Sequence, residues 1–455
     1  MSMAPLRLHP KAGESSGRFP WITARLVQCI LAIATLVALS AAAPVLLRAA
    51  ALASIALLCA VAADFAMGPR RAEFQAERLP CEHLSLRKPG RLRYQIVNRS
   101  AADLEYEIVE TPIDQLVLPE QPLRGRVGAR RRKVDELAVV PRLRGEARLQ
   151  PLFVSVRNSV GLFVRRFRCG VEQNVRIFPD LSAVERYGEL ARRGRLSAAG
   201  FRKLRLRGQG GEFDALREWV PDDEFRSINW KATARRGKLM VAQYDVERSQ
   251  TVNLVLDAGR LMTPQLGDQR KFDYAVTAAL SVAHIAALAD DKVGLLAFAG
   301  EILEYIAPRA GASHANGMTR RLYDLQPLFE ESDYARGFAY LRRRQPKRSL
   351  VIFFTDMFDP VACAAALANM AQISPRHLAL CVLMNDEALS AALAQPPKSV
   401  HDAYKAGVAA TLLEQRRKAA AMLVRRGIPV IDVPARQLTV ALINAYIEVK
   451  ARSLL

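Results

Sequence analysis

The stretch GEFDALREWVPDDEFRSINWKATARRGKLMVAQYDVERSQTVNLVLD, Gly211 to Asp257, decides how the chain divides. Its first part is crowded with side chains that need partners: Glu212, Arg217, Glu218, Asp222, Asp223, Arg226, Lys231, Arg235 and Glu247, with Trp219 and Trp230 between them. Its last part, TVNLVLD, is an apolar strand closed by a carboxylate at Asp257. Everything upstream reads as anchor and spacer. Everything downstream reads as one α/β domain.

Downstream of Thr251, strands and helices alternate. A helical run over Phe272–Leu288 is followed by KVGLLAF and EILEYIA, then by helical segments near Met318–Leu325 and Tyr334–Arg343. SLVIFFTD precedes a helix over Val361–Ala371; HLALCVLMND, a long helix through Ala403–Arg425, PVIDVP and a last helix from Gln437 to about Arg452 complete the pattern. Continuously apolar strands separated by helices predict a mostly parallel open sheet, Rossmann-like, covered on both faces. Sites in such sheets lie beyond the C-terminal strand ends, where Asp257 and Asp356 fall.

Upstream, LVQCILAIATLVALSAAAPVLL and AAALASIALLCAVAA are apolar enough for two short membrane spans, over Trp21–Ala43 and Val45–Ala63, hinged at Pro44. A cleaved signal peptide fits less well, because a second apolar run follows at once. Arg7, Lys11, Arg18 and Arg25 precede the spans, Arg70, Arg71 and Arg78 follow them, and Arg48 lies between. That asymmetry places both ends in the cytoplasm and the soluble parts with them. From about residue 80 to 180, short alternating runs such as RLRYQIVN, LEYEIVE, KVDELAVV and ARLQPLFVSVRN predict a β-sandwich of about seven strands. The expected organisation is a tail over 1–20, a transmembrane hairpin over 21–67, the sandwich over 68–180, a basic linker over 181–210 and the α/β domain over 211–455.

With 455 residues, the chain exceeds what one core organises. Its formal net charge of +21 gathers at Arg124–Lys133, Ala191–Arg207 and Arg342–Arg348. Solvated loops beside an anionic membrane account for these clusters; no nucleic-acid module or aromatic stacking platform accompanies them. The six cysteines are scattered without metal spacing and read as buried, reduced thiols. Gly208–Gly211 lacks the spacing of a phosphate loop and reads as a turn.

From Gly211 to Arg235 the sequence reads G-E-F-x-x-L-R-x-W-x-P-D-D-x-x-R-x-I-N-W-K-A-x-A-R. This motif resembles the family called domain of unknown function 58, whose C-terminal half is similar to a von Willebrand factor A domain. PRLRGEARL, VRNSVGLFVRR and VRIFPDL resemble that family's upstream β-domain, with Asn158-Ser159 where many relatives have Asp-Pro. The resemblance implies a metal-dependent adhesion site built on D-x-S-x-S. Here that loop is Asp257-Ala258-Gly259-Arg260-Leu261, so both serines are replaced; the Thr position corresponds to Ser332 and the second Asp to Asp356. Losing two hydroxyl ligands leaves Mg²⁺ poorly served, and the expectation is no cofactor. The other reading has the two carboxylates capping helices or pairing with arginines.

Catalysis has little support from the residue pattern. No G-x-S-x-G elbow occurs, and His284 reads as a packed residue. Glu212 and Asp223 could form an acid/base pair, but basic neighbours hold carboxylates ionised. Glu212, Arg217, Asp223, Arg226, Trp230, Lys231 and Arg235 either pin their segment to the sheet or meet a protein. The family resemblance implies a partner, an AAA+ ATPase of the MoxR type, and a role as a membrane-anchored interaction or assembly factor rather than an enzyme.

Overall fold

A computed structural model describes residues 21–41, 43–81, 83–158, 160–192, 212–221, 225, 228–245, 250–356, 360–394 and 396–452. The tail over 1–20 and the Gly208–Gly211 turn lie outside them. The chain forms two compact units, Met1–Phe178 and Pro179–Leu455.

In the first unit, helices α1 (Ala24–Leu39) and α2 (Val45–Met67) flank Pro44. Of these, α2 is long and apolar enough to cross a membrane. The expected first span is shorter than drawn from sequence: Trp21–Ile22 is a strand, paired with Val164 and Phe163. The β-region builds five-, four- and three-stranded sheets around one core that includes Tyr94, Ile96, Tyr106 and Val154. ARLQPLFVSVRN is two strands, Gly145–Leu149 and Leu152–Asn158, split where Pro151 has no N–H to donate. Ser159 lies outside the described residues; beyond it Gly161 takes φ +70° and donates its N–H to Asn158 Oδ1 at 3.0 Å. Among the described cysteines Cys381 alone is buried; Cys29 and Cys59 are exposed on α1 and α2.

The second unit starts with α3 (Ser182–Arg192), so the expected linker begins as a helix, and Tyr187 anchors it in the core. The motif stretch forms antiparallel strands Glu212–Glu218 and Met240–Asp245, with α4 (Trp230–Arg236) between them. Asn229 caps α4 by accepting from the Ala232 N–H, and Gly237 ends it at φ +67°.

Six strands then make the main sheet: β1 (Thr251–Asp257), β2 (Lys292–Phe298), β3 (Ile302–Arg309), β4 (Leu350–Phe354), β5 (Leu378–Asn385) and β6 (Val430–Pro434). Their order is β3-β2-β1-β4-β5-β6. All neighbours are parallel except β3, which turns straight back on β2. The helices are α5 (Lys271–Leu288), α6 (Ala312–Leu322), α7 (Tyr334–Arg344), α8 (Pro360–Ile373), α9 (Glu387–Ala394), α10 (Val400–Arg425) and α11 (Leu438–Ala451). The long helix read through Ala403–Arg425 is α10, and α9 precedes it as a separate helix.

Alternation along β1 feeds both layers. Leu254 and Leu256 pack with Phe272, Met318 and Leu442 of α5, α6 and α11, whereas Val255 packs with Phe338, Met370 and Leu423 of α7, α8 and α10. Each such side chain contributes roughly 1.5–3 kcal/mol on burial. The strand order reverses between β1 and β4, so their carboxyl ends border the crevice where open α/β sheets place ligands.

Candidate functional site

Asp257 ends β1 with no exposed surface. Its Oδ1 accepts the Gly259 N–H at 2.9 Å and the Ser332 hydroxyl; its Oδ2 accepts the Thr355 hydroxyl at 2.6 Å and the Tyr334 hydroxyl at 3.1 Å. Desolvation pushes this carboxyl above its ordinary value, and the four donors pull against that. Tyr334 is raised as well, by burial and by the Asp257 charge.

Gly259 makes the arrangement possible. A Cβ there would run into Ser332 Oγ and stand 2.9 Å from the Glu330 carbonyl oxygen. A serine at this position of D-x-S-x-S and the hydroxyl of Ser332 therefore compete for one space. Arg260 points outward and pairs with Glu331 at 3.2 Å.

Asp356, one residue beyond Thr355, is also fully buried and is held by cations. Lys271, the first residue of α5, donates to its Oδ2, and Arg416 of α10 donates to its Oδ1 at 2.6 Å. Arg416 also meets Asp432 of β6 at 2.9 Å. Burial opposes the Arg416 charge, but Asp356 and Asp432 outweigh it and raise the guanidinium above its ordinary value.

The structure thus brings together Asp257 and Ser332, with Asp356 following their partner Thr355. Lys271, Tyr334, Thr355 and Arg416 are the members that sequence reasoning missed. Arg416 had a signal: it shares a helical stripe with buried Ala409, Ala419 and Leu423.

A divalent ion does not fit this donor set. Asp257 already accepts four hydrogen bonds, Gly259 and Leu261 bring no oxygen side chain, and protein cations match the Asp356 charge. Among the described residues no group of three or more His, Cys, Asp or Glu is placed to hold a metal. Millimolar Mg²⁺ is therefore expected to move the unfolding midpoint of the full chain by less than about 1 °C. A rise of several degrees that Asp257→Ala abolishes would show the opposite.

The motif residues form a second group. Trp230, Lys231 and Arg235 are exposed on α4, Trp230 by 62%, so this tryptophan does not pin the segment. Trp219 is half-buried, 6.1 Å from the Phe225 ring. Arg217 is exposed and donates to the Glu218 carbonyl at 3.2 Å, while the Glu218 carboxylate pairs with Lys238 at 2.8 Å. Asp223, Arg226 and the Glu212 side chain lie outside the described residues, as does Asp359. His284 is half-buried on α5, 3.1 Å from Thr319 Oγ1, and burial lowers its pKa.

One further feature stands over Asp257. The segment after α6 donates the Leu328 N–H to the Ala258 carbonyl at 2.7 Å and accepts the Arg260 N–H at Glu330 O at 2.7 Å. It presents Phe329 with 84% of its surface exposed. Phe329, Glu331 and Arg260 thus lie together at the exposed edge of this loop.

Fold and site define an α/β domain with buried, saturated carboxylates at its switch point. Residues 215–419 match the family described as "Protein of unknown function DUF58", and the resemblance read from Gly211–Arg235 holds for this segment. "Uncharacterized protein Rv1480" of Mycobacterium tuberculosis and "Uncharacterized protein Mb1516" of Mycobacterium bovis are each 26% identical over 181 residues, 39% of this chain and 56% of theirs. The chain spans about half the length of these curated relatives. A solved structure, the ASH / PapD-like domain of human CEP192, aligns with 24% of this chain and 87% of its own at 7% identity, with a TM-score of 0.19 that carries no argument.

Proposed function

We propose that the chain is a membrane-anchored interaction or assembly factor, not an enzyme, whose von Willebrand factor A-like domain offers its strand-end rim to a protein partner. The parallel sheet with helices on both faces and a carboxylate ending β1 supports that likeness. The length of α2, and the packing of Leu26, Ile30 and Ile33 of α1 beside Leu57, Leu58 and Val61 of α2, support a two-helix membrane hairpin. A β-sandwich then follows it, and the arginine asymmetry favours an inner membrane with both soluble parts in the cytoplasm.

The observation that carries the reading is Phe329. An aromatic ring this exposed costs solvation unless it is covered, and buried aromatic rings dominate binding energies at interfaces. The carboxylates beneath it are consumed by internal partners, which leaves the rim to bind rather than react. A MoxR-type AAA+ ATPase is the proposed partner.

The test is co-purification of that ATPase with the full chain from solubilised membranes at low salt. Phe329→Ala with Arg260→Glu is expected to reduce capture at least about tenfold, since a central aromatic contributes roughly 2 kcal/mol or more. Full capture by a folded double variant removes this rim, and no capture by the unaltered chain removes the partner.

A further inference from the structure

The β-region carries a second surface, at the end where the two apolar helices join it. The strand Phe74–Arg78 begins a few residues after α2, and Phe74 stands opposite Asn98 in the neighbouring strand. The Arg99 N–H donates to the Glu73 carbonyl at 2.7 Å, which fixes Arg99 beside the helix exit. Leu104, Val127, Arg132 and Asn158 are terminal residues of strands at this same end.

The loop after Asn158 is stitched to both helices. Asp64 of α2 accepts the Leu162 and Phe163 N–H groups at 2.9 and 2.8 Å, and the Thr23 hydroxyl, just before α1, meets the Gly161 and Leu162 carbonyls at 2.9 and 3.0 Å. Arg165 donates to the Gly68 and Pro69 carbonyls at 3.0 and 2.9 Å. This end of the β-region is therefore held against the start of α1 and the end of α2.

An open hollow of about 480 Å³ lies there, lined by Val97, Asn98, Arg99, Arg130, Arg131 and Arg132. Its four arginines are exposed. The floor is built. Asn98, only 1% exposed, donates to the Ala102 and Gly128 carbonyls at 2.8 and 3.0 Å and accepts the Ser100 N–H at 2.9 Å. Those bonds tie the 98–103 and 128–132 loops together. Arg130 adopts φ +53°, a backbone that most side chains avoid.

Among the described residues no ion pair joins Arg130, Arg131 or Arg132 to a carboxylate. The adjacent Asp103 is spent on the Ala129 N–H at 2.9 Å and on Arg126 at 3.2 Å. In the strand that meets α1, Arg166 lies 4.6 Å above the ring of Trp21, and Trp21 is half exposed. Tryptophan at the end of a span and clustered arginine are what an anionic headgroup layer recruits.

We infer that Arg99, Arg130, Arg131 and Arg132 form a phosphate-binding cradle that takes the headgroup of an anionic phospholipid in the membrane holding α1 and α2. The inference rests on the membrane reading of those helices. Guanidinium groups bind phosphate oxygens in pairs, which suits a fixed cradle better than a diffuse cloud of lysines. A nucleic acid would need the same arginines but has no stacking surface here and would meet the bilayer.

The test uses the full chain, extracted in a neutral detergent and titrated with phosphatidylglycerol, phosphatidylcholine or inorganic phosphate, with bound ligand counted by native mass spectrometry. Phosphatidylglycerol is expected to be retained at least about tenfold better than phosphatidylcholine, because each arginine adds to the attraction and screening only reduces it. The Arg99→Ala, Arg130→Ala, Arg131→Ala, Arg132→Ala variant is expected to lose that preference. Arg91→Ala with Arg93→Ala, at the far end of the same strand, is expected to keep it. Should the fourfold variant lose its circular dichroism, Arg130→Gln with Arg131→Gln carries the comparison at partial loss. Equal retention of the two lipids, or undiminished preference in a folded variant, overturns the cradle. Inorganic phosphate bound as tightly as phosphatidylglycerol overturns the lipid source. A chain released from membranes by alkaline carbonate overturns the membrane reading itself, whatever lipid preference it shows.

Discussion

Arg416→Ala is expected to destabilise the α/β domain by about 3–5 kcal/mol, seen as a fall of roughly 10 °C in its unfolding midpoint in the full chain. The guanidinium is 2% exposed and spans two carboxylates, Asp356 at 2.6 Å and Asp432 at 2.9 Å. Its removal leaves Asp356 fully buried with Lys271 as its remaining cation in this set and opens a gap between α10 and the sheet. Losing one partner of a buried ion set is costly because the other charges stay desolvated. Replacing the whole set with apolar groups of similar volume is far milder. The variant carrying Lys271→Met, Asp356→Leu and Arg416→Met, which leaves of this set only Asp432 with its side chain 32% exposed, should therefore recover much of the loss. A triple variant no more stable than Arg416→Ala would show that shape, not charge pairing, holds α5, β4 and α10 together here.

How far the sequence disclosed this fold depends on where each signal resides. TVNLVLD, SLVIFFTD and HLALCVLMND could be placed at once, because strands covered on both faces must be continuously apolar. EILEYIAPR was recognisable as a strand, but its direction was set by the turn at Gly300–Glu301, where the Ala299 N–H bonds the Glu301 carbonyl at 2.9 Å. ARLQPLFVSVRN looked like one run because its alternation hides the missing N–H of Pro151. Trp230 was harder still. An aromatic residue among charges is compatible with a pin or with a contact surface, and here it opens a helix ended after seven residues and is 62% exposed.

The site divides in the same way. Asp257 and Asp356 were legible from strand-end position, and Ser332 from its match to the family pattern. Lys271, Tyr334 and Arg416 come from three separate helices. Their convergence is a tertiary fact, and no local spacing encodes it. For Arg416 the stripe with Ala409, Ala419 and Leu423 distinguished it from Arg417, but the stripe gives only a facing direction. It does not name a partner. That limit matters for function, because the sequence leaves the two aspartates open between a degenerate metal site and pairing with arginines. Their partners Ser332, Tyr334, Thr355, Lys271 and Arg416 are visible only in three dimensions.

Asp257 provides the other large effect. Asp257→Ala is expected to cost about 3 kcal/mol or more, because the hydroxyls of Ser332, Tyr334 and Thr355 and the Gly259 N–H lose a common acceptor where little water can replace it. Asp257→Asn should cost less, since hydroxyls can rotate to accept from the new amide. The asparagine variant also isolates a pH effect. Desolvation raises the folded-state pKa of Asp257 above its unfolded value of about 3.9. The folded protein then holds the proton more tightly than the unfolded chain. Between the two pKa values the native state binds more protons, so stability falls as pH rises through this window and levels off above the raised value. The Asp257 contribution is thus fully present below about pH 4 and lost as pH rises through the raised folded-state value. Other carboxylates titrate in the same range, so the quantity to measure is the stability of the unaltered chain minus that of Asp257→Asn across pH 4–8. That difference should decline with rising pH. A difference that is flat or rises would mean that the four donors outweigh burial and that Asp257 is ionised without penalty in the folded protein.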